Sequence, residues 1–152
     1  MIRFGVLGAA RITPAALIYP CMNEPLAHIS VIAARDRDKA NAFATAHHIR
    51  TECDSYLDVV SHEKINALYN PLHIPAHHPW TIAALNAGKH VLCEKSLACN
   101  AGEAREMNRV AKDQGLVLMD AFHYRYHPLF ARMKDIVANG ELGTIASIDA
   151  AF

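Results

Sequence analysis

Hydrophobic runs rich in β-branched residues alternate with segments of helical periodicity along most of the chain. A short apolar run bounded by turn residues is typical of a buried strand, whereas apolar positions that repeat every three or four residues are typical of a helix. The first 121 residues are therefore predicted to contain five strands, at 2–7, 28–34, 65–69, 90–93 and 116–121. The segments between these strands are predicted to be helices.

Capping residues mark where the predicted helices begin and end. Thr13 stands before a proline and Asp36 before a periodic segment, so each is predicted to be the N-cap of a helix. Asn100, followed three residues later by Glu103, forms a capping-box pattern, and Gly115 is suited to closing the helix that begins there. The capping residues agree with the hydrophobic periodicity.

The repeated order of strand, helix and strand predicts the fold class. Parallel strands joined by right-handed crossovers place helices on both faces of one sheet, which is a doubly wound α/β fold. We predict that residues 1–121 form this domain.

The pattern changes after Ala121. The aromatic and histidine-rich segment FHYRYHP leads into a predicted helix at 128–138, and residues 145–152 alternate as a strand does. We predict that residues 122–152 begin a second domain of α+β type, which this chain contains only in part. A strand with an uncovered apolar face favours self-association, so a homo-oligomer is expected.

Composition and charge narrow the class of partner. A chain of 152 residues that is 52% hydrophobic can build one sizeable core. Fifteen Lys and Arg balance fifteen Asp and Glu, which argues against nucleic acid or an anionic membrane as the partner. No apolar run approaches the ~18 residues that span a bilayer. The balanced charge favours a small polar molecule as the ligand instead. Four cysteines without a CxxC pair favour reduced thiols in a cytoplasmic protein.

The segment GVLGAARIT follows the first predicted strand and opens the first predicted helix, where a dinucleotide-binding fingerprint belongs. Gly8 takes the position of the first glycine, and the turn would bring backbone N–H groups and a helix N-terminus towards a pyrophosphate. The alternative is a small-residue turn needed only for packing. The residues predicted to bind the pyrophosphate are Gly8, Ala9, Ala10, Arg11 and Ile12.

The end of the second predicted strand bears on cofactor choice. An acidic side chain at this position would bind a free ribose 2′-hydroxyl, whereas Arg35 suits a 2′-phosphate by charge and geometry, with Lys39 as a second cation. NADP is therefore predicted as the cofactor, with NAD possible. In the alternative, Arg35 is a solvated loop residue and Asp36 only caps a helix.

Three histidines lie in the segment NPLHIPAHHPW. An i, i+4 pair such as His73 and His77 can bind zinc when a third ligand converges on it, but the sequence offers none and prolines interrupt the helix, so no metal site is predicted. A loop at the carboxyl end of a strand is expected to contact a ligand here. Its predicted contact residues are Asn70, Pro71, Leu72 and His77.

The predicted strand at 90–93 ends on two adjacent opposite charges, Glu94 and Lys95. An exposed ion pair would contribute only ~0–1 kcal/mol and have no bearing on function. A lysine at the carboxyl end of a parallel strand could instead take part in catalysis.

Several segments in this order resemble the Gfo/Idh/MocA oxidoreductases, especially their sugar and dihydrodiol dehydrogenase branch: GVLGAARI, AARDRDKA, AALNAGKHVLCEKSLA and LMDAFHYRYHPLFARMKDIV. The resemblance implies an NAD(P)-binding Rossmann domain and hydride transfer at a hydroxyl or carbonyl carbon of a sugar-like or diol substrate. It maps Lys95 onto the family's catalytic lysine beside the nicotinamide. It further implies that Glu94 orients this site, and that Tyr124 and Arg125 are candidate contacts on the nicotinamide side.

The sequence departs from the family pattern in two segments. Ser96 replaces the proline of the family's Glu-Lys-Pro signature, in which the Lys-Pro bond is often cis, and His73-Ile74 replaces a Pro-Asn pair. Family members are also much longer than this chain. The alternative hypothesis is therefore a truncated, non-catalytic NADP-binding or regulatory module.

Overall fold

A computed structural model describes residues 1–151 and contains one parallel sheet of six strands. Its strands are β1 (Ile2–Leu7), β2 (Ala27–Ala33), β3 (Thr51–Glu52), β4 (Ala67–Asn70), β5 (His90–Cys93) and β6 (Leu118–Asp120). Their spatial order is β3-β2-β1-β4-β5-β6. The predicted doubly wound α/β fold is confirmed, because helices cover both faces of this sheet.

The helices lie between these strands and after the last one. The first is a π-helical segment (Pro14–Ile18) that continues into α1 (Tyr19–Met22). The others are α2 (Arg37–Ala46), α3 (Tyr56–Ser61), α4 (Ile74–Asn86), α5 (Ala101–Asp113), a 3-10 helix (His123–Tyr126) and α6 (Pro128–Ala138).

The side-chain caps predicted at Asp36 and Asn100 are confirmed. The Asp36 side chain accepts a hydrogen bond from the Lys39 N–H at 3.1 Å, and the Asn100 side chain accepts one from the Glu103 N–H at 3.0 Å. In a capping box, the Glu103 carboxylate would accept from the Asn100 backbone N–H. Here it accepts instead from the N–H of the preceding residue, Cys99, at 2.9 Å.

The first helix begins at Pro14 as predicted, with Thr13 in the N-cap position, but the Thr13 side chain does not cap it. Thr13 already has helical backbone angles, with φ −53° and ψ −41°, and its side chain makes no capping hydrogen bond. An N-cap residue needs an extended backbone so that its oxygen can turn back onto the first turn. The Thr13 side chain is instead fully buried.

Two elements were not predicted individually. β3 contains only two residues, both exposed, and its hydrogen bonds to β2 alone define it. α3 begins with a full capping box, in which Ser55 accepts from the Asp58 N–H and the Asp58 carboxylate accepts from the Ser55 N–H. This box has aspartate at the position where the usual pattern has glutamate or glutamine.

The core occupies both faces of the sheet because side chains alternate along each strand. Leu7 packs in a cluster with residues of α3, α4 and α5, whereas its neighbour Val6 packs in a cluster with residues of the first helix and α2. Gly5 of β1 packs against α3 and the segment after it, since a Cβ atom at this position would come within 2.6 Å of Ile65 and 2.7 Å of Val59.

The strand order reverses between β1 and β4, since β2 lies on one side of β1 and β4 on the other. The chain therefore leaves the two strands in opposite directions, which opens a crevice at their carboxyl ends. Further along the sheet, Asn70 of β4 is in register with Cys93 of β5, and Cys93 is in register with Asp120 of β6. The three strands therefore end in register, and the loops that follow them begin side by side at one edge of the sheet.

The chain divides into two compact units, and the second begins at Phe122. Within it, the Tyr124 ring contacts Phe122 and Phe130, with ring centroids 5.6 and 5.1 Å apart. The helix predicted at 128–138 is confirmed as α6. None of the helices described could cross a bilayer, being too short or too polar.

The strand predicted at 145–152 is wrong over residues 145–151, which adopt no regular structure, and Phe152 lies outside the described residues. Alternation favours a strand, but a strand is stable only when it pairs with neighbours, and the described part of this unit contains none. The self-association expected from this strand stays a prediction.

Candidate active site

A cleft of about 650 Å³ lies at the carboxyl ends of β1 and β2. This volume is within the range of pockets that bind small molecules and cofactors. The cleft brings together six of the predicted cofactor-binding residues: Gly8, Ala9, Ala10, Arg35, Lys39 and Leu72. Six residues that were not among the predicted cofactor contacts also line it: Ala34, Asp36, Tyr56, His73, Ala76 and Trp80.

The turn after β1 shows why glycine is needed at position 8. Gly8 has φ +86°, a left-handed conformation that disfavours other residues, and its N–H donates to the Ala33 carbonyl at 2.6 Å. A Cβ atom at this position would lie 3.1 Å from Leu72 Cδ2. The bare backbone at the cleft floor suits a group that must approach closely, such as a dinucleotide pyrophosphate.

Arg11 and Ile12 follow this turn and are both exposed. They occupy the segment that leads into the first helix. Their predicted contact with the pyrophosphate stays a prediction.

The tip of β2 carries the charges that face the cleft. Arg35 and Lys39 are exposed cations, and the Lys39 Nζ lies 3.6 Å from the Asp36 carboxylate. Because Asp36 also caps α2, its carboxylate already has two partners in the protein. This wall of the cleft therefore presents more positive than negative charge to a ligand.

Tyr56 and Trp80 form an aromatic wall of the cleft. Their ring centroids are 5.2 Å apart and the rings are nearly perpendicular, at 88°. The two side chains come from α3 and α4, so only the folded chain brings them together. No local sequence motif could have indicated this pair.

The two adjacent charges after β5 have different environments. Glu94 is 7% exposed, accepts from the Tyr69 hydroxyl at 2.8 Å and also accepts from the Lys95 backbone N–H at 3.2 Å. The Lys95 side chain is exposed, and the Lys95-Ser96 peptide bond is cis. Glu94 thus orients the backbone that carries Lys95.

Asn70 is the last residue of β4 and is fully buried. Pro71, which follows it, is also buried. The Asn70 amide donates to the His77 carbonyl at 3.3 Å and to the Thr81 hydroxyl at 3.4 Å, and its oxygen accepts from the Leu72 N–H at 3.4 Å. Asn70 therefore joins the loop after β4 to α4.

His77 lies beneath the same loops and is only 1% exposed. Its Nδ1 is 2.8 Å from the Ser96 carbonyl oxygen and its Nε2 is 2.7 Å from the Leu72 carbonyl oxygen. The ring thus connects the loop after β4 with the loop that carries Lys95.

Burial raises the pKa of three groups near the ends of β4, β5 and β6. The pKa of Tyr69 is raised by burial and by its hydrogen bond to Glu94. The pKa of the Cys93 thiol is raised by burial to about 12. The pKa of Asp120 is raised by burial and then by the charge of Glu94, while His77 and a backbone hydrogen bond oppose this rise.

Tyr124 and Arg125 lie in the 3-10 helix of the second unit. Their predicted contacts on the nicotinamide side stay predictions. Across residues 1–151, histidine, cysteine and carboxylate side chains form no group of three that could hold a metal ion.

Residues 2–122 match the Gfo/Idh/MocA family, described as an oxidoreductase family with an NAD-binding Rossmann fold. The chain belongs to the Gfo/Idh/MocA oxidoreductase family. The resemblance inferred from the sequence motifs is therefore confirmed.

Curated relatives include dehydrogenases and reductases of sugars. The chain is 38% identical over 149 residues to D-xylose 1-dehydrogenase (NADP(+)) 2 of Haloferax volcanii, covering 98% of this chain and 45% of the relative. It is 36% identical over 157 residues to the dTDP-3,4-didehydro-2,6-dideoxy-alpha-D-glucose 3-reductase of Streptomyces antibioticus, covering 99% and 46%. The chain thus spans about half the length of these relatives.

The fold also matches solved structures, again over about half the length of each. A 3-ketoreductase from Actinomadura kijaniata, crystallised with NADP, superposes with a TM-score of 0.85 at 33% identity, covering 95% of this chain and 46% of that one. The myo-inositol 2-dehydrogenase of Lactobacillus plantarum superposes with a TM-score of 0.82 at 27% identity, covering 95% and 43%.

Proposed function

We propose that this chain is the cofactor-binding part of an NADP-dependent oxidoreductase that acts on a sugar-like or diol substrate. The observation that carries the proposal is the cleft at the reversal of strand order, with the positive-φ turn at Gly8 on its floor and Arg35 on its wall. Ligands of open α/β sheets bind at such reversals.

The cleft residues fit a dinucleotide. The turn from Gly8 to Ala10 and the start of the following helix would bind the pyrophosphate through backbone N–H groups. Arg35 and Lys39 would bind the 2′-phosphate that distinguishes NADP from NAD. The negative charge of Asp36 would repel this phosphate less, because its carboxylate accepts from the Lys39 N–H and contacts the Lys39 Nζ. The NADP complex of the Actinomadura ketoreductase supports this choice.

Lys95 is proposed to move the proton. When bound, the cofactor supplies hydride transfer to or from a hydroxyl or carbonyl carbon. The exposed Lys95 Nζ would hydrogen-bond the oxygen on that carbon and transfer the proton that accompanies the hydride. Glu94, held by Tyr69, orients the backbone of this loop rather than contacting the substrate.

A sugar-like substrate is supported by the relatives, which are named for D-xylose and for a dTDP-linked sugar. The balanced charge of the chain, with fifteen basic and fifteen acidic residues, suits a small neutral polyol as well as it suits a sugar nucleotide.

The test is a fluorescence titration of the 152-residue chain with NADPH and with NADH. We expect NADPH to bind about tenfold to hundredfold more tightly, because charge-assisted hydrogen bonds contribute about 1.5–3 kcal/mol. Arg35→Asp should narrow or reverse this preference. Arg109→Asp is the matched control, since Arg109 lies on α5 and pairs with Asp113. Equal affinities, unchanged by Arg35→Asp, would refute the choice of NADP.

A second candidate is a non-catalytic NADP-binding or regulatory module, which Ser96 favours because it replaces the proline of the family signature. The two are separated by assaying aldoses, inositols and dihydrodiols with NADP. Substrate-dependent reduction of NADP supports the enzyme. Tight NADPH binding without turnover of any member of the panel is expected of a non-catalytic module and equally of the cofactor-binding part of an enzyme, so turnover is the result that separates the two.

A further inference from the structure

The ring of His77 makes two contacts that a neutral histidine cannot satisfy together. Both ring nitrogens face carbonyl oxygens, of Ser96 at 2.8 Å and of Leu72 at 2.7 Å. A carbonyl oxygen only accepts hydrogen bonds, and a neutral imidazole carries one N–H donor. Either neutral tautomer would therefore point a nitrogen lone pair at a carbonyl oxygen. Turning the ring over would place carbon atoms at both positions and lose both hydrogen bonds.

We propose that His77 is held as a doubly protonated imidazolium at neutral pH, and that it positions Lys95 by tying the Lys95 loop to the loop that contains Leu72. The positioning role rests on the proposed function of Lys95. The protonation of the ring rests on the geometry alone.

A doubly protonated His77 ring would interact with the carboxylate of Asp120. Burial opposes any charge on the ring, so nearby negative groups must compensate. Asp120 at the end of β6 lies close enough for the charge of His77 to act on it, and Glu94 at the end of β5 acts on Asp120 in turn. Cys93, also on β5, keeps a neutral thiol, because burial raises its pKa to about 12. From β4, Asn70 contributes a neutral amide.

The position of His77 makes it an effective link. Its own carbonyl accepts from the Asn70 amide, which anchors the start of α4 against the end of β4. From that fixed point, one ring nitrogen donates to the carbonyl of Ser96, the residue after Lys95, and the other to the carbonyl of Leu72, which lines the cofactor cleft. The ring therefore sets the spacing between the cofactor cleft and the proposed acid-base group.

The first test is a nitrogen-15 NMR measurement on the histidine-labelled 152-residue chain near neutral pH. We expect the His77 ring to show two protonated nitrogens, with slow exchange of both N–H protons. His78, the adjacent histidine on α4, is the reference ring, since it is less buried and has a single carboxylate partner in Glu106. One protonated and one unprotonated nitrogen in His77 would overturn the proposal.

The second test separates the two hydrogen bonds. Asparagine can place its amide nitrogen near the Nδ1 position, whereas glutamine reaches the Nε2 position. His77→Asn should therefore keep the bond to Ser96, and His77→Gln should keep the bond to Leu72. We expect hydrogen exchange of residues 94–97 to rise about tenfold in His77→Gln and by less than about twofold in His77→Asn.

The control for this second test is His78→Gln, which should leave exchange of residues 94–97 unchanged. Equal exchange in the two His77 variants would refute the positioning role. The NMR measurement needs no variant that could fail to fold. Failure of NADPH to bind would refute the proposed function and leave the His77 result standing, whereas a neutral His77 in a chain that binds NADPH would refute only this inference.

Discussion

Tyr69→Phe is expected to destabilise the protein through one hydrogen bond. The Tyr69 side chain is fully buried, and its hydroxyl donates to Glu94 Oε1 at 2.8 Å. The substitution removes a donor from a carboxylate that is 7% exposed, so water cannot readily replace it. Hydrogen bonds to charged groups contribute about 1.5–3 kcal/mol. For a chain of this size, a loss of about 2 kcal/mol lowers the melting temperature by about 4–8 °C.

The difference in stability between the protein and Tyr69→Phe should also depend on pH. The raised pKa of Tyr69 means that the unfolded chain loses the phenolic proton at about pH 10, while the folded chain keeps it. The unfolded state then binds fewer protons, so the stability contributed by this group is present below pH 10 and falls as the pH rises. The Tyr69→Phe variant lacks this decline. The difference in the free energy of unfolding between the protein and Tyr69→Phe should therefore become smaller above about pH 10.

Urea denaturation of both proteins at neutral and alkaline pH measures these effects. Tyr19→Phe is the matched control, since Tyr19 is exposed and its loss should change the free energy of unfolding by less than about 0.5 kcal/mol. If Tyr69→Phe changed stability no more than Tyr19→Phe did, the bond to Glu94 would contribute nothing and our view of this loop would be wrong.

Three further predictions concern packing, capping and thiol chemistry. Gly5→Ala should lower the free energy of unfolding by about 1–3 kcal/mol, because the new methyl group would come within 2.6 Å of Ile65; unchanged stability in urea would contradict this. Asn100→Ala should cost about 1 kcal/mol by removing the cap of α5, and a calorimetric scan showing no shift would exclude that role. Iodoacetamide should modify the exposed Cys99 well before Cys93, whose thiol is buried with a pKa of about 12. Peptide mass spectrometry gives the order, and earlier modification of Cys93 would contradict it.

The strands could be predicted because burial on both faces gives each one a continuous apolar run. β1 and β5 match their predicted bounds, whereas β4 begins two residues later than predicted and includes Asn70. A polar residue at the end of a strand breaks the apolar pattern, although the backbone continues to pair. β3 could not be found in this way, because both of its residues are exposed and only pairing with β2 defines it.

The candidate site was predictable where its chemistry is local. Gly8 follows a strand and precedes a helix, and Lys95 follows another strand, so the parallel sheet brings both to the same edge. The network beneath them was not predictable, because it joins residues through space. Tyr69 and Glu94 are 25 positions apart, and His77 and Ser96 are 19 apart. No spacing rule connects these pairs until the strands are placed side by side.

The register of β4, β5 and β6 determines which mutations this region can accept. Asn70, Cys93 and Asp120 are aligned across the sheet, and Lys95 stands two residues beyond Cys93. Exchanging one apolar residue of β5 for another of similar volume costs less than about 1.5 kcal/mol. Inserting or deleting a single codon there would shift Lys95 by about 3.3 Å and turn the following side chains to the opposite face of the sheet. Natural variants of β5 should therefore exchange apolar residues of similar volume while keeping the number of residues between His90 and Lys95 constant.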